Sequence, residues 1–158
     1  MMRYPDCPAC QGPSGDHDLH RVQVWEDDLW RLTTSLASEV EGFSYLEPKR
    51  HIRSIIELDG EEARTLGEAL AATTAALKQA TGAEQVYVYV FGAGIPHLHL
   101  HLAPHRAGDA LNDAMIRGDV VVQDLPNGAQ LVQSEEFPPL PEATLSDVAD
   151  RIRGHLAG

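Results

Sequence analysis

The pattern of hydrophobic and polar positions along the chain predicts several short strands. Runs in which apolar residues alternate with polar ones, or in which β-branched and aromatic residues dominate, lie at residues 19–25, 29–34, 43–46, 86–91, 97–103, 120–123 and 130–132. The runs at 86–91 and 97–103 flank Gly92-Ala93-Gly94, an arrangement that predicts an antiparallel pair. The last two runs flank Pro126-Asn127-Gly128 and indicate a hairpin.

Helical spacing marks three other segments. The longest predicted helix begins near Asp59, which together with Glu62 resembles a capping box, and ends near Gly82. Its apolar positions recur three or four residues apart, at Ala63, Leu66, Leu70, Thr73 and Leu77. A short helix is expected at 109–116, and a terminal amphipathic helix is expected from Leu145, Val148, Ile152 and Leu156. Strands with segregated helices predict an α+β fold, an antiparallel sheet with one long helix and a C-terminal helix.

Length and charge limit the organisation of the chain and its partners. A chain of 158 residues with 43% hydrophobic residues is expected to form one domain, spanning 1–158, around one core. The formal net charge of −12 repels a polyanionic backbone, so nucleic acid polymers are not expected partners, whereas a local site for a small phosphate-bearing ligand is compatible with it. Neither a signal peptide nor a membrane span is recognisable, so a cytoplasmic protein without a membrane partner is expected.

The chemistry concentrates in the run His97-Leu98-His99-Leu100-His101-Leu102-Ala103. In a strand, a period of two places the three imidazoles on one face and the three leucines on the other. A merely solvated face would normally carry Thr, Lys or Glu, so the histidine row indicates a site. Neighbouring imidazoles can ligate a metal, or one can attack an electrophile while the others move protons, and both hypotheses stay open at this point.

The two cysteines of the chain, Cys7 and Cys10, form a second candidate motif, Cys-x-x-Cys. In a reducing compartment this spacing indicates a metal knuckle or a redox pair, not a structural disulfide. A further hypothesis joins His97, His99 and a more distant residue around a catalytic metal, in the manner of small β-barrel oxygenases. The regular Leu-His alternation and the two cysteines argue against that hypothesis.

The segment 92–104, Gly-Ala-Gly-Ile-Pro-His-Leu-His-Leu-His-Leu-Ala-Pro, resembles the His-φ-His-φ-His-φ-φ signature of the histidine triad superfamily of nucleotide hydrolases and transferases, where φ is apolar. Upstream, Val24-Trp25-Glu26-Asp27 resembles the end of the family's early strand, and Glu47-Pro48-Lys49-Arg50-His51-Ile52 resembles its Pro-Lys-x-His segment. The similarity spans about residues 7–106, and 107–158 form a C-terminal extension. The resemblance implies the histidine triad fold and a two-fold homodimer.

The resemblance also implies roles for single residues. His99 matches the central histidine that attacks the α-phosphorus of a nucleotide, and His101 matches the histidine that contacts the phosphate and orients the nucleophile. Branches of the superfamily with an N-terminal Cys-x-x-Cys bind zinc, and the matching ligands here are Cys7, Cys10, His51 and His97. Two thiolates and two imidazoles form a closed tetrahedral shell, which suits a structural zinc.

The phosphate-binding positions depart from the family's pattern. Ala93 and Gly94 stand where active members commonly carry Gln and Ser or Thr, and Ser35 falls near the position of an Asp that holds ribose hydroxyls. The remaining candidate phosphate ligands are the backbone amides of Gly92, Ala93, Gly94 and Ile95 and the side chains of His105 and Arg106. The leading hypothesis is a hydrolase or transferase that cleaves a nucleotidyl phosphoanhydride or phosphoramidate bond. The alternative is a zinc-stabilised binding protein of the same fold with little or no catalysis.

Overall fold

The computed structural model describes residues 4–91, 94–108, 120–135 and 137–157. Its strands are β1 (Arg21–Glu26), β2 (Trp30–Ser35), β3 (Ser44–Pro48), β4 (Gln85–Tyr89), β5 (Leu100–His105), β6 (Val120–Asp124) and β7 (Gln130–Ser134). Its helices are α1 (Pro13–Asp18), α2 (Gly60–Thr81) and α3 (Glu142–Leu156), with 3₁₀ turns at Pro8–Cys10 and Ile55–Glu57. The predicted α+β class is confirmed, and the helix expected at 109–116 lies outside the described residues.

The strands β1 to β5 form one antiparallel sheet in the order β1-β2-β3-β5-β4. After β3 the chain passes through α2, forms the edge strand β4 and returns to the inside of the sheet as β5. The register aligns Thr33 with Tyr45, Tyr45 with His101, and His101 with Tyr89. His101 therefore lies between aromatic residues of both neighbouring strands. β6 and β7 form the predicted hairpin as a separate sheet.

One face of the five-stranded sheet packs against α2 and α3. The largest side chains of this core are at most 3% exposed: Trp30, Leu32, Leu46, Leu77, Leu98, Leu100, Leu102, Val148 and Ile152. Burying a side chain of this kind contributes roughly 1.5–3 kcal/mol. The leucines between the triad histidines therefore anchor that segment in the core, as the alternation predicts. No helix within the described residues has the apolar length that crossing a bilayer requires.

The segment before β5 differs from the predicted continuous strand over 97–103. The strand begins only at Leu100. Pro96, which precedes His97, has no N–H for a sheet hydrogen bond. The N–H of Leu98 donates to the carbonyl of Ile52 at 2.7 Å. Leaving the sheet in this way brings His97 beside the segment that follows β3.

The long helix α2 begins and ends where predicted, but its N-terminus is held differently. Asp59 is the N-cap residue and makes no side-chain capping hydrogen bond. Asp59 and Glu62 instead accept hydrogen bonds from the Arg50 guanidinium at 2.6 and 3.1 Å. The predicted capping box is therefore wrong, because Arg50 competes for both carboxylates. After the helix, Gly82 has a φ of 72°, a left-handed conformation that favours glycine.

The sheet face opposite α2 and α3 has a covered part and an open part. The N-terminal segment, residues 4–20, packs over β1 and buries Arg21, Arg31 and Glu47. The opposite edge of the sheet is more open, since Tyr87 of β4 is 43% exposed. The strand β5, which carries His101, lies between these two parts.

Candidate functional site

Four side chains from distant parts of the sequence converge beside the start of β5: Cys7, Cys10, His51 and His97. The turn Pro8–Cys10 positions the cysteines, the segment after β3 carries His51, and the segment before β5 carries His97. Their ligand atoms all lie within 4.8 Å of one another. The Nδ1 atom of His97 is 3.5 Å from both sulfurs, and Nδ1 of His51 is 3.3 Å from Sγ of Cys10. The predicted cluster is confirmed.

The cluster fits a tetrahedral zinc ion. Zn–S bonds of about 2.3 Å and Zn–N bonds of about 2.0–2.1 Å place neighbouring sulfur and nitrogen ligands roughly 3.5 Å apart, close to the observed separations. The Nε2–H of His97 donates to the carbonyl of Pro48 at 2.7 Å, so that the Nδ1 lone pair faces the cysteines. The donors are those of a structural zinc site, because four protein ligands leave no coordination position for substrate.

Burial disfavours charge in this cluster. Burial and the neighbouring Cys10 raise the pKa of the Cys7 thiol to about 12. Burial also lowers the pKa of His97, although the carboxylate of Glu47 opposes this effect, so the imidazole is neutral and able to ligate. A thiolate at Cys7 therefore needs a compensating cation, which a divalent metal supplies. On the outer side, Tyr4 stacks on His51 with the ring centroids 3.8 Å apart.

His99 lies beside the cluster, with its ring held by the backbone. Its Nδ1–H donates to the carbonyl of His97 at 2.7 Å. This hydrogen bond places a proton on Nδ1, so the neutral form of the ring has its lone pair on Nε2. His99 is 8% exposed, so its neighbours enclose most of the residue.

His101 is surrounded by other rings. Its Nδ1–H donates to the carbonyl of Tyr89 at 3.2 Å, and the two rings stack with centroids 4.7 Å apart. The ring of His99 is 5.0 Å away. Three further rings have centroids within 6.0 Å: Phe43, Tyr45 and Phe91. The structure thus brings His99 and His101 together, whereas the side chain of His97 turns towards the cysteines.

A network of four buried charges lies under the N-terminal segment. Arg21 contacts Asp16 at 3.0 Å and Glu47 at 2.9 Å, and Arg31 contacts the same carboxylates at 2.8 and 2.6 Å. Two guanidinium groups and two carboxylates balance in charge, which offsets the cost of burial. Burial opposes ionisation of Glu47, but the two arginines outweigh it and hold the pKa of Glu47 below its usual value. Sequence reasoning missed this network.

Replacing Glu47 with glutamine is expected to lower the free energy of unfolding by about 3–5 kcal/mol at pH 7, because two buried guanidinium groups then share one carboxylate. The pKa of Glu47 is lower in the folded than in the unfolded chain. Its contribution is therefore present at neutral pH and is lost as the pH falls below about 4–5. Urea titrations at pH 7 and pH 4 measure the effect.

The difference between Glu47→Gln and wild type should begin to shrink at pH 4, because Glu47 of the unfolded wild-type chain takes up a proton there while the folded chain keeps the carboxylate ionised. The matched control is Glu68→Gln, because Glu68 is exposed on α2. A loss of stability that is the same at both pH values would contradict an ionic role for Glu47.

Gly15 allows α1 to lie against the turn that carries the cysteines. A Cβ at this position would be 1.9 Å from the carbonyl oxygen of Pro8. Gly15→Ala is therefore expected to displace the turn and to weaken zinc binding about tenfold or more, measured by competition with a chelator. Gly67→Ala is the control, because a Cβ there meets nothing within 4 Å and alanine favours a helix. Equal zinc affinity in both variants would contradict this role of Gly15.

The loop at residues 94–96, before the histidines, contains those residues of the predicted phosphate-binding site that the structure describes. Gly94 and Ile95 lie in this loop, and the carbonyl of Ile95 accepts a hydrogen bond from the N–H of His97 at 2.8 Å. Two of the predicted amide ligands lie outside the described residues: Gly92 and Ala93. Residues 94–96 carry no polar side chain, so a phosphate bound here needs donors from the backbone or from another element.

The side chains of His105 and Arg106, which follow the three histidines, lie away from this loop. Arg106 forms an ion pair with Glu41 at 2.8 Å. His105 ends β5, four residues beyond His101, which is roughly 13 Å along a strand. Their assignment as phosphate ligands stays a prediction.

Similarity to known proteins is found in solved structures, whereas no protein-family model and no curated protein matches the sequence. A hypothetical histidine triad nucleotide-binding protein from Sulfolobus tokodaii strain7 superposes with a TM-score of 0.68 and 18% identity, over 95% of this chain and 91% of that one. A zinc-bound histidine triad family protein from Mycobacterium smegmatis has a TM-score of 0.62 and 17% identity, over 92% of each chain.

A third similar structure is a Hit-like protein involved in cell-cycle regulation from Bartonella henselae, crystallised with an unknown ligand. It has a TM-score of 0.61 and 22% identity, over 86% of this chain and 87% of that one. At these identities the similarity concerns the fold. The antiparallel sheet, the long helix, the histidine row and the cysteine-histidine cluster occur together, as the sequence resemblance implies. The chain therefore has the fold of the histidine triad family, with a cluster suited to a structural zinc.

Proposed function

We propose that this protein cleaves a nucleotidyl phosphoanhydride or phosphoramidate bond, as a hydrolase or transferase, through a covalent intermediate on His99. The observation that carries the proposal is the hydrogen bond of 2.7 Å from the Nδ1–H of His99 to the carbonyl of His97. It fixes the ring with Nε2 as the nucleophile, beside His101. Imidazole is a competent nucleophile near neutral pH, and a covalent intermediate splits one difficult displacement into two easier ones.

In the first step, Nε2 of His99 bonds to phosphorus while the bond from phosphorus to the leaving group breaks. The leaving oxygen or nitrogen takes the electron pair and a proton from solvent water. Positive charge develops on the ring, and the carbonyl of His97 stabilises it through Nδ1–H. In the second step, water or another acceptor attacks phosphorus and releases its proton to solvent. The P–N bond breaks, its electron pair returns to Nε2 and His99 is regenerated. His101 is the proposed phosphate contact, because its ring centroid is 5.0 Å from that of His99.

Zinc bound by the four-residue cluster is proposed to be structural. Such an ion ties the N-terminal segment to the sheet, and its closed shell leaves no position for water. His97 connects this cluster to the reaction site, because its side chain belongs to the cluster while its carbonyl orients His99. The zinc site therefore supports the nucleophile without taking part in bond cleavage.

Incubation with nucleoside phosphoramidates and dinucleoside polyphosphates that carry a labelled α-phosphate tests the proposal. A denaturing quench at alkaline pH preserves a P–N bond. We expect label on His99 by peptide mass spectrometry, and release of a nucleoside monophosphate. Turnover without label on any histidine would contradict covalent catalysis.

A zinc-stabilised binding protein with little or no catalysis is the second candidate function. Ser35 favours it, since this side chain lacks a carboxylate and its hydroxyl accepts the N–H of Ala37 at 3.2 Å within its own turn. Gly94 likewise offers no side chain to a phosphate. Such a protein would bind a nucleoside monophosphate but would neither label His99 nor cleave any substrate of the panel.

We also propose a homodimer that works in a reducing compartment such as the cytoplasm. The edge strand β4 exposes 43% of Tyr87 and 44% of Val88, and pairing with a second copy would cover them. Cys7 and Cys10 form no disulfide with each other, which suits a reducing compartment. Light scattering of the zinc-loaded protein tests the dimer, and a monomer at micromolar concentration would contradict it.

A further inference from the structure

The hairpin β6–β7 brings one polar side chain to the loop that precedes the histidines. A Cβ built on Gly94 would be 3.8 Å from the Cβ of Gln130 and 4.0 Å from its Oε1. Oε1 of the Gln130 carboxamide therefore lies near Gly94, at the place where residues 94–96 have no polar side chain of their own. Gln130 is exposed, so a ligand can reach it.

The hairpin holds Gln130 in a defined position. β6 and β7 pair Asp124 with Gln130, and the Nε2 of Gln130 donates to Oδ1 of Asp124 at 3.2 Å. The turn is closed by a hydrogen bond of 2.8 Å from the N–H of Leu125 to the carbonyl of Ala129. The side chain of Asn127 accepts the N–H of Ala129 at 3.0 Å. Both N–H donors of the carboxamide are on Nε2, so Gln130 can hold Asp124 with one while the other is available to an anion that approaches between the hairpin and the loop.

The covered part of the sheet face limits the approach to His99. On the β2 and β3 side, Arg31, Thr33 and Glu47 are 6%, 0% and 1% exposed. Beyond β4, Phe91 is 61% exposed, and its ring is 5.8 Å from that of His101. The open approach therefore runs past the end of β4 and the loop at 94–96, where the hairpin lies.

We infer that Gln130 donates a hydrogen bond to a phosphate oxygen of the ligand at His99, in place of the side chain that Gly94 lacks. This inference rests on the proposed function, which places the phosphorus at His99. Arg106 forms an ion pair with Glu41, whereas the neutral amide of Gln130 lies beside the loop. The C-terminal extension thereby supplies phosphate recognition from outside the triad segment.

The test compares matched variants of two glutamines on the same hairpin. Gln123 pairs with Leu131, one position along the ladder from the pair of Asp124 and Gln130, so it lies on the opposite face. Calorimetry with zinc-loaded wild type first identifies which of the four common ribonucleoside 5′-monophosphates binds most tightly. The dissociation constants of that nucleotide and of inorganic phosphate are then measured for wild type and each variant. Gln130→Ala is expected to bind the monophosphate about tenfold more weakly, because one hydrogen bond to a charged group is lost.

Gln130→Glu is expected to bind at least as weakly as Gln130→Ala, because a carboxylate repels phosphate. Gln123→Ala and Gln123→Glu should stay within about twofold of wild type, and the second controls for the added charge. Melting temperatures check that the hairpin stays folded. Equal binding by the Gln130 and Gln123 variants, or no binding by wild type at millimolar ligand, would overturn the inference.

The same proteins separate this inference from the proposed reaction. Label on His99 without any effect of Gln130 substitution would overturn the role of Gln130 and leave the covalent mechanism standing. Weaker phosphate binding by the Gln130 variants, in a protein that never labels His99, would support the contact and contradict the reaction.

Discussion

Replacing His99 with alanine is expected to reduce turnover by about four orders of magnitude or more, because neighbouring groups do not replace a lost covalent nucleophile. The variant should fold normally and keep its zinc, since the His99 side chain does not belong to the cysteine-histidine cluster. The measurements are kcat on the best substrate of the panel, label on histidine after an alkaline quench, and zinc content by elemental analysis.

His101→Ala is the comparison that separates nucleophile from neighbour. Its ring is 5.0 Å from that of His99 and stacks on Tyr89, so its removal should impair phosphate contact and orientation. We expect a loss of roughly ten- to a hundredfold, with label still forming on His99. Near wild-type hydrolysis by His99→Ala would reject covalent catalysis there. Loss of zinc in His99→Ala would mean that the metal and catalytic roles are exchanged.

The parts of the fold that could be predicted from sequence are those with a local, periodic signal. Leu98, Leu100 and Leu102 alternate with the histidines, and all three are buried. Alternate side chains of an extended segment point to the same side, so the sequence pattern alone identifies the buried face. The apolar spacing of α2 and the left-handed Gly82 after it marked the long helix correctly. The Cys-x-x-Cys spacing left a metal site or a redox pair open, and the family resemblance supplied His51 and His97 as the further ligands of the cluster.

The parts that could not be predicted depend on contacts without a local pattern. Arg31 stands between Trp30 and Leu32, and in an alternating strand such a position normally faces water. It is buried because α1, a short helix that carries no clear periodicity, places Asp16 over it at 2.8 Å. The signal available was the charge pattern itself: an arginine and an acidic residue at corresponding positions of adjacent strands. That signal becomes specific only when the strand register is known.

The functional site likewise depends on contacts that the sequence pattern does not predict. Strand periodicity predicts three equivalent imidazoles, yet His97 leaves the sheet and its Nδ1 lies 3.5 Å from the sulfurs of Cys7 and Cys10. Pro96 and the pairing of Leu98 with Ile52 cause this difference. The approach of Gln130 to Gly94 could not be predicted from sequence, because it brings the start of β7 beside a loop that is distant along the chain.

Removing one zinc ligand is expected to have the largest effect on stability. Cys7→Ser should lose the zinc and lower the free energy of unfolding by several kcal/mol, because the binding energy of a structural zinc is also folding energy. Cys7 is 2% exposed and ties the N-terminal segment to His97. Without the ion, the segment that covers the buried charges would keep the contacts of Asp16 with the two arginines and the hydrogen bond from the N–H of Leu36 to the carbonyl of His20.

Metal content and thermal unfolding measure this effect, with His51→Ala as a second ligand variant and His17→Ala as the control. His17 is an exposed histidine of α1, in the same segment but outside the cluster. Both ligand variants should lose zinc and melt earlier, whereas His17→Ala should keep one zinc per chain. Wild type purified without chelator and found free of zinc would remove the assignment, as would a Cys7→Ser protein with unchanged melting temperature. Because the His97 carbonyl orients His99, loss of zinc should also reduce labelling of His99, which links the structural ion to the reaction site.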